Sequence, residues 1–156
     1  MKPKVYLETT IPSYLAASPS RDLVVAAHQQ ITREWWDDRG RFSLFIFQVV
    51  LQEVDSGDEE AAARRLKLVE GIPMLQLTDE VRELARDLLS LKVLPAQAAV
   101  DALHVAVAVV NGMDYLVTWN CTHIANAAVR NRIERVCRSK GYEPPVICTP
   151  EELLEG

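Results

Sequence analysis

Glycine is scarce in this chain, with six among 156 residues, and none of the familiar glycine-rich motifs occurs. Neither the GxGxxG pattern nor the P-loop pattern, both of which bring backbone N–H groups to phosphates, is found. The GxSxG turn that presents the nucleophile of many serine hydrolases is absent as well. These absences argue against a dinucleotide-binding protein, a P-loop NTPase or a serine hydrolase of that type.

Cysteine is equally scarce, with three residues, Cys121, Cys137 and Cys148, and no paired spacing. An odd number without pairing suits a reducing cytoplasm, where we expect each cysteine to be a small buried hydrophobe. Cys121 and His123 look like a fragment of a metal site, but no second close pair follows. Structural zinc normally needs such a second pair, so the sequence does not favour a zinc centre.

Long apolar runs are also missing. No stretch approaches the roughly 18 consecutive apolar residues of a membrane span. Pro3 and Glu8 interrupt the beginning of the sequence, which does not resemble a signal peptide. We therefore expect a cytoplasmic protein that does not associate with membranes.

Positive charge is in deficit, because 17 Lys and Arg residues face 22 Asp and Glu residues and give a net charge of −5. A domain that coats nucleic acid by bulk attraction is usually basic, so that class is disfavoured. An acidic excess is compatible with a nuclease whose carboxylates surround a cation, and equally with simple solubility.

Short apolar segments alternate with segments of helical periodicity along the whole chain. The pattern predicts strands at 4–8, 42–47, 74–77, 115–119 and 146–148, and helices near 12–17, 21–38, 59–70, 78–91, 98–110 and 127–140. A further helix begins near Gln48 and contains Glu53. Ser20 is the expected N-cap of the second helix. No linker or repeat appears, so we expect one α/β domain over residues 1–156. Its mainly parallel sheet would be covered on both faces.

Asp101 is the sharpest candidate for chemistry. The segment 98–110 is apolar nearly all round, which predicts a buried helix, and an ionised carboxylate there is costly unless it is paired or bound to metal. His104 lies three residues later on the same face. The alternative is that the helix dipole favours Asp101 near the helix start and His104 is a satisfied core histidine.

Three further candidates follow or adjoin strands, where the ligands of open α/β sheets bind. Glu8 ends the first strand, Asn120 follows the 115–119 strand, and Glu53 lies on the helix after the second strand. Each also has an ordinary explanation: Glu8 and Asn120 as turn residues, and Glu53 as part of a solvated acidic stretch.

The 127–140 helix is rich in cations and includes Arg130, Arg132 and Arg135. These side chains are candidates for contacts with a phosphate backbone. A solvated basic helix explains the same pattern.

Taken together, these segments resemble the PIN-domain family. Residues 5–10 (VYLETT) look like the opening strand of PIN domains, residues 101–106 (DALHVA) resemble the aspartate-bearing helix, and residues 115–126 resemble the strand and loop that follow it. The likeness is greatest to VapC-type toxins of bacterial toxin–antitoxin pairs. It implies a three-layer α/β/α sandwich, Mg²⁺- or Mn²⁺-dependent cleavage of RNA, a homodimer and a cognate antitoxin.

Residue by residue, the resemblance assigns Glu8 as the first acid, Glu53 as the second, Asp101 as the third and Asn120 as the fourth site residue. Glu8 stands where the family usually has aspartate, and Asn120 is neutral where many members have an acid. The longer or uncharged ligand would weaken Mg²⁺ binding, favour Mn²⁺ or abolish cleavage. A catalytically degenerate PIN-like domain that binds RNA or protein is therefore the alternative, with a phosphatase-like hydrolase as a second one.

The mechanism expected from this assignment is in-line hydrolysis. Glu8, Glu53 and Asp101 would hold the cation that activates a water, and Asn120 would orient that water or a phosphate oxygen. Thr9 would hydrogen-bond a ligand or phosphate. Adjacent Trp35 and Trp36 cannot both be buried on one helix face, which suggests a homodimer surface.

Overall fold

The computed structural model describes residues 1–55 and 57–155. In the first half, strands β1 (Lys4–Leu7) and β2 (Ser43–Phe47) are connected by helices α1 (Thr10–Ala16) and α2 (Leu23–Asp37). Helices α3 (Gln48–Val54) and α4 (Glu59–Val69) then lead to the short strand β3 (Met74–Leu75).

In the second half, helices α5 (Asp79–Ser90) and α6 (Ala99–Val110) precede strand β4 (Tyr115–Val117). Helix α7 (Ala127–Ser139) connects β4 to the last strand, β5 (Val146–Cys148), which is followed by a 3-10 turn at Pro150–Leu153. The predicted sequence of elements is confirmed, and strands β3 and β4 are shorter than expected.

The five strands form one sheet in the order β3-β2-β1-β4-β5, and every pairing is parallel. Strand β1 is central, with Val5 opposite Leu44 of β2 on one side and Tyr115 of β4 on the other. Parallel strands need crossover connections, and these are right-handed in nearly all proteins. Helices α1 to α4 therefore cover one face and α5 to α7 the other, which gives the predicted α/β/α sandwich.

The core lies where the apolar runs predicted it. Val5, Tyr6 and Leu7 of β1 are fully buried, and helix α6 contributes seven buried residues, as expected for a helix that is apolar nearly all round. Gly112 ends α6 in a left-handed conformation (φ 68°), which favours glycine because it has no Cβ.

The predicted N-cap of α2 is wrong. Asp22, not Ser20, caps this helix, because its side chain accepts hydrogen bonds from the backbone N–H groups of Val24 and Val25, at 2.9 and 3.0 Å. Ser20 instead accepts a hydrogen bond from the backbone of Asp22 and supports the turn before the cap.

The cysteine prediction is right for two residues and wrong for the third. Burial raises the pKa of Cys137 to about 11 and that of Cys148 to about 12, so both remain neutral thiols at physiological pH. Cys121 is exposed in the loop after β4.

Trp35 is fully buried, whereas Trp36 lies at the surface beneath the guanidinium of Arg39, 4.3 Å from the ring centroid. Arg39 therefore covers Trp36 within the same chain, and the homodimer stays a prediction. None of the helices in residues 1–55 and 57–155 has the length and apolarity needed to cross a membrane.

Candidate active site

The sheet has a topological switch point between β1 and β4. From β1 the chain moves outward to β2 and β3, then crosses back to β4 and continues to β5 on the other side. In open α/β sheets, ligands bind beyond the carboxyl ends of the strands at such a point. Glu8 directly follows β1 and Thr118 directly follows β4, so both stand at this position.

Glu8 is held by hydroxyl groups from both strand ends. Its Oε1 accepts hydrogen bonds from Thr118 Oγ1 at 2.6 Å, from Thr10 Oγ1 at 2.5 Å and from the Thr10 backbone N–H at 3.1 Å. Thr10 Oγ1 in turn accepts a bond from the backbone N–H of Trp119, which fixes α1 against the end of β4. The Glu8 side chain is therefore fixed in one orientation, and the residue is only 4% exposed.

The other oxygen of Glu8 is different. Oε2 accepts no hydrogen bond from any residue in the described part of the chain, and it is not among the enclosed polar atoms without a partner. It is therefore not fully enclosed, although the residue as a whole is buried. A carboxylate with one oxygen anchored and the other open can accept a ligand without losing its orientation.

Asp101 and Asn120 are in direct contact. The Asn120 side-chain amide donates to Asp101 Oδ1 at 3.0 Å, and His123 Nδ1 lies 2.9 Å from Asp101 Oδ2. The Asn120 backbone N–H donates to Thr118 Oγ1 at 2.9 Å. Asp101 on α6 is thereby connected to Glu8 on β1 through the loop that follows β4.

Glu53 belongs to a second hydrogen-bonded group, which is attached to the first through the chain at Tyr6 and Thr9. Its Oε1 accepts from Thr9 Oγ1 at 2.5 Å and lies 2.9 Å from His104 Nε2, while His104 Nδ1 lies 2.6 Å from the hydroxyl of Tyr6. With Glu53 ionised, the consistent arrangement has His104 Nε2–H donating to Glu53 and the Tyr6 hydroxyl donating to Nδ1. Fully buried His104 therefore anchors Glu53 to the middle of β1.

Two pKa shifts follow from this arrangement. Partial burial raises the pKa of Glu53, but hydrogen bonds from His104 and Thr9 outweigh that effect and leave the pKa below its usual range. Burial raises the pKa of the Tyr6 hydroxyl well above its usual value, and the charges of Glu8 and Glu53 raise it further. Both carboxylates thus act on the same buried hydroxyl.

The donor chemistry fits a hard divalent cation, since the site offers carboxylate oxygens from Glu8, Glu53 and Asp101. Within residues 1–55 and 57–155, however, no three acidic, histidine or cysteine side chains are grouped closely enough to hold one ion. The described residues therefore form no closed metal cage, and an ion bound here would need waters or another ligand to complete its coordination.

The predicted site residues other than the arginines separate into two groups. Hydrogen bonds join Glu8, Asp101 and Asn120 into one group through Thr118, and they join Thr9 and Glu53 into a second group with His104. The arginines are dispersed along α7: Arg130 donates to the Ile147 carbonyl of β5 at 2.9 Å, Arg132 lines a cleft beside His123, and Arg135 is exposed.

Sequence reasoning did not assign four further members of these groups, which are Tyr6, Thr10, Thr118 and His123. Thr118 was missed because the predicted strand 115–119 included it, whereas β4 ends at Val117. His123 was considered only as a zinc ligand, and its contact with Asp101 depends on the fold of the loop after β4.

No protein-family model matches the chain, and no curated protein matches it in sequence.

Proposed function

We propose that this chain is a metal-dependent endoribonuclease of the PIN type, which uses Mg²⁺ or Mn²⁺ to hydrolyse RNA phosphodiester bonds. The observation that carries the proposal is the hydrogen-bonded link from Glu8 to Asp101, through Thr118 and Asn120, at the switch point of a parallel sheet. Open α/β folds bind their ligands at this position, and Glu53 belongs to a neighbouring hydrogen-bonded group with Thr9 and His104. The motif resemblance in residues 5–10, 101–106 and 115–126 gives the reaction class.

In the proposed mechanism, Glu8 and Asp101 would hold the cation, and Glu53 would contribute to its binding. When bound, the cation would supply a polarised water and neutralise the charge that develops on the phosphate. Thr118 and Thr10 fix one oxygen of Glu8 and leave the other without a hydrogen bond from the described residues. Asn120 and His123 orient Asp101, and Thr9 orients Glu53.

The same residues suggest a preference between metals. Glu8 is longer than the usual aspartate by one methylene, and Asp101 already accepts a hydrogen bond from Asn120. Mg²⁺ demands near-ideal octahedral geometry, so a site built on a longer ligand should favour the more tolerant Mn²⁺. We therefore propose Mn²⁺ as the more effective ion.

The resemblance to VapC-type toxins also suggests a cellular role and partners for this chain. We propose a cytoplasmic toxin that forms a homodimer and is restrained by a cognate antitoxin. A short neighbouring reading frame for a DNA-binding protein, whose product copurifies with this chain, is the expected observation. If size-exclusion chromatography with light scattering shows a monomer at micromolar concentration, the dimer is excluded.

The alternative function is a catalytically degenerate domain that binds RNA or protein. It is favoured by one observation: each candidate acid already has hydrogen-bond partners within the chain, and no three ligands are grouped among the described residues. A phosphatase that acts on small phosphate esters would use the same acids. Comparing the hydrolysis of an RNA with that of a small phosphate ester distinguishes this class from a nuclease.

The test is cleavage of a structured RNA by purified protein with Mn²⁺, with Mg²⁺ and with EDTA. Asp101→Asn should lower the metal-dependent rate by about 100-fold or more, because it removes a charge that acts on the cation while keeping the shape of the side chain. Asp114→Asn is the matched control, since Asp114 lies at the opposite edge of the sheet next to Lys4.

Asp114→Asn should cut RNA like the natural protein. Equal cleavage by Asp101→Asn and the natural protein would contradict the assignment of Asp101. Absence of cleavage by every variant, together with absent Mn²⁺ binding, would favour the degenerate binding domain.

A further inference from the structure

A cationic cleft lies beside the acidic network. It has a volume of about 480 Å³, an apolar floor formed by residues such as Leu94 and Val129, and two cationic side chains, Lys92 and Arg132, beside the imidazole of His123. No acidic residue among the described ones lines this cleft. Within a chain of net charge −5, this is a local concentration of positive charge.

The charges of Lys92 and Arg132 are not neutralised by the protein. Neither Lys92 nor Arg132 forms an ion pair with any other residue among 1–55 and 57–155, whereas Arg138 on the same helix as Arg132 is paired with Glu134 and Glu143. Both side chains are exposed, so the charges are available to a ligand that enters the cleft.

The backbone at Lys92 is also unusual. Lys92 adopts a left-handed conformation (φ 57°), and apart from glycines no other residue in the described part of the chain has a positive φ. Such a conformation is unfavourable for a residue with a Cβ, and it persists where the surrounding structure enforces it. Here the backbone N–H groups of Val93 and Leu94 both donate to the Leu88 carbonyl and hold the turn that places Lys92 at the cleft.

His123 connects the cleft to the candidate active site. It lines the cleft, and its Nδ1 lies 2.9 Å from Asp101 Oδ2. A polyanion that occupies the cleft would therefore extend directly to Asp101.

We propose that this cleft, defined by Lys92, His123 and Arg132, binds the sugar-phosphate backbone of single-stranded RNA next to the bond that is cut. This inference rests on the proposed function for its substrate class. Lys92 and Arg132 contact phosphates, and the apolar floor receives a base or sugar. A cleft of this size suits a flexible single strand, because double-stranded RNA is recognised over an extended surface of many base pairs.

The test is the affinity of a fluorescein-labelled single-stranded RNA in EDTA, where metal-dependent cleavage is suppressed. The double variant Lys92→Ala/Arg132→Ala should bind about tenfold more weakly than the natural protein. In a plot of the logarithm of the association constant against the logarithm of the salt concentration, the slope should be less steep by about 1.4. This difference corresponds to two phosphate contacts on a single strand.

The matched control is Arg64→Ala/Lys67→Ala. It also removes one Lys and one Arg charge, but from α4, in the helical layer on the other face of the sheet. Arg64 and Lys67 line a separate cleft there. This control should bind RNA like the natural protein, and circular dichroism should show that both double variants are folded.

An equal loss of affinity in both double variants would show bulk attraction and overturn the proposal, as would unchanged binding in Lys92→Ala/Arg132→Ala. The failure of the nuclease proposal is distinguishable: RNA would still bind through the cleft, while the natural protein would not cut it with Mn²⁺ or Mg²⁺.

Discussion

Acidic residues lie at both edges of the sheet, one formed by the carboxyl ends and one by the amino ends of the strands, and they differ in burial. At the carboxyl edge, Glu8 is only 4% exposed and accepts hydrogen bonds from Thr10 and Thr118. At the amino edge, exposed Asp114 accepts one hydrogen bond from the backbone N–H of Lys4, at 2.8 Å. The hydrogen bonds are similar, but only the carboxyl edge encloses its acids.

The difference matters because burying an ionised carboxylate is costly unless hydrogen bonds compensate for lost water. Asp114 needs no such compensation, since water reaches it. Around Glu8, Glu53 and Asp101 the chain provides hydroxyl, amide and imidazole partners from four separate elements and loops. The compensation matters most for Glu8, because the side chains of Glu53 and Asp101 are 39% and 19% exposed.

Among the variants that test this comparison, Glu8→Ala is expected to lower the free energy of unfolding the most. It leaves the hydroxyls of Thr10 and Thr118 without their shared acceptor in a buried site, which should lower the free energy of unfolding by about 3 kcal/mol. Asp114→Ala should lower it by about 1 kcal/mol or less, because water replaces the lost acceptor. Urea unfolding monitored by fluorescence measures both. Equal losses would show that the two edges do not differ in the way described.

A smaller effect on the free energy of unfolding is expected for Glu53→Gln, and this effect should depend on pH. Because the folded state lowers the pKa of Glu53, its ionised form stabilises the fold above the unfolded pKa of about 4.3, and this contribution is lost as the pH falls through the lower folded value. The natural protein should therefore be more stable than Glu53→Gln at neutral pH, and the difference should narrow near pH 3.

Urea unfolding at both pH values in EDTA measures this effect. Glu83→Gln, at an exposed position on α5, is the control and should differ from the natural protein by the same small amount at each pH. A difference for Glu53→Gln that persists unchanged at acid pH would show that the lowered pKa is not the source of the stability.

Much of the fold could be predicted because it depends on local pattern. The strand predicted at 4–8 and the apolar helix predicted at 98–110 follow from composition and spacing, and both are confirmed as Lys4–Leu7 and Ala99–Val110. The α2 cap was missed because Ser20 and Asp22 are both good capping residues and the choice depends on where the preceding turn ends.

The site could be predicted only in part, for a related physical reason. Glu8 and Asn120 were found because strand ends are visible in sequence, and Asp101 because a charge in an apolar helix is conspicuous. The hydrogen bonds between Tyr6 and His104, between Glu8 and Thr118 and between Asp101 and His123 link residues 22 to 110 positions apart. Such contacts depend on the strand order, which periodicity does not reveal.

The most direct test of the central claim is to locate bound Mn²⁺ by paramagnetic broadening of backbone NMR signals. The account predicts that the signals broadened first belong to residues around Glu8, Asp101 and Asn120, while those around Lys4 and Asp114 stay sharp at the same Mn²⁺ concentration. Broadening centred on the amino edge, or no broadening at the carboxyl edge with Mn²⁺ in excess, would contradict a metal-dependent site at the switch point.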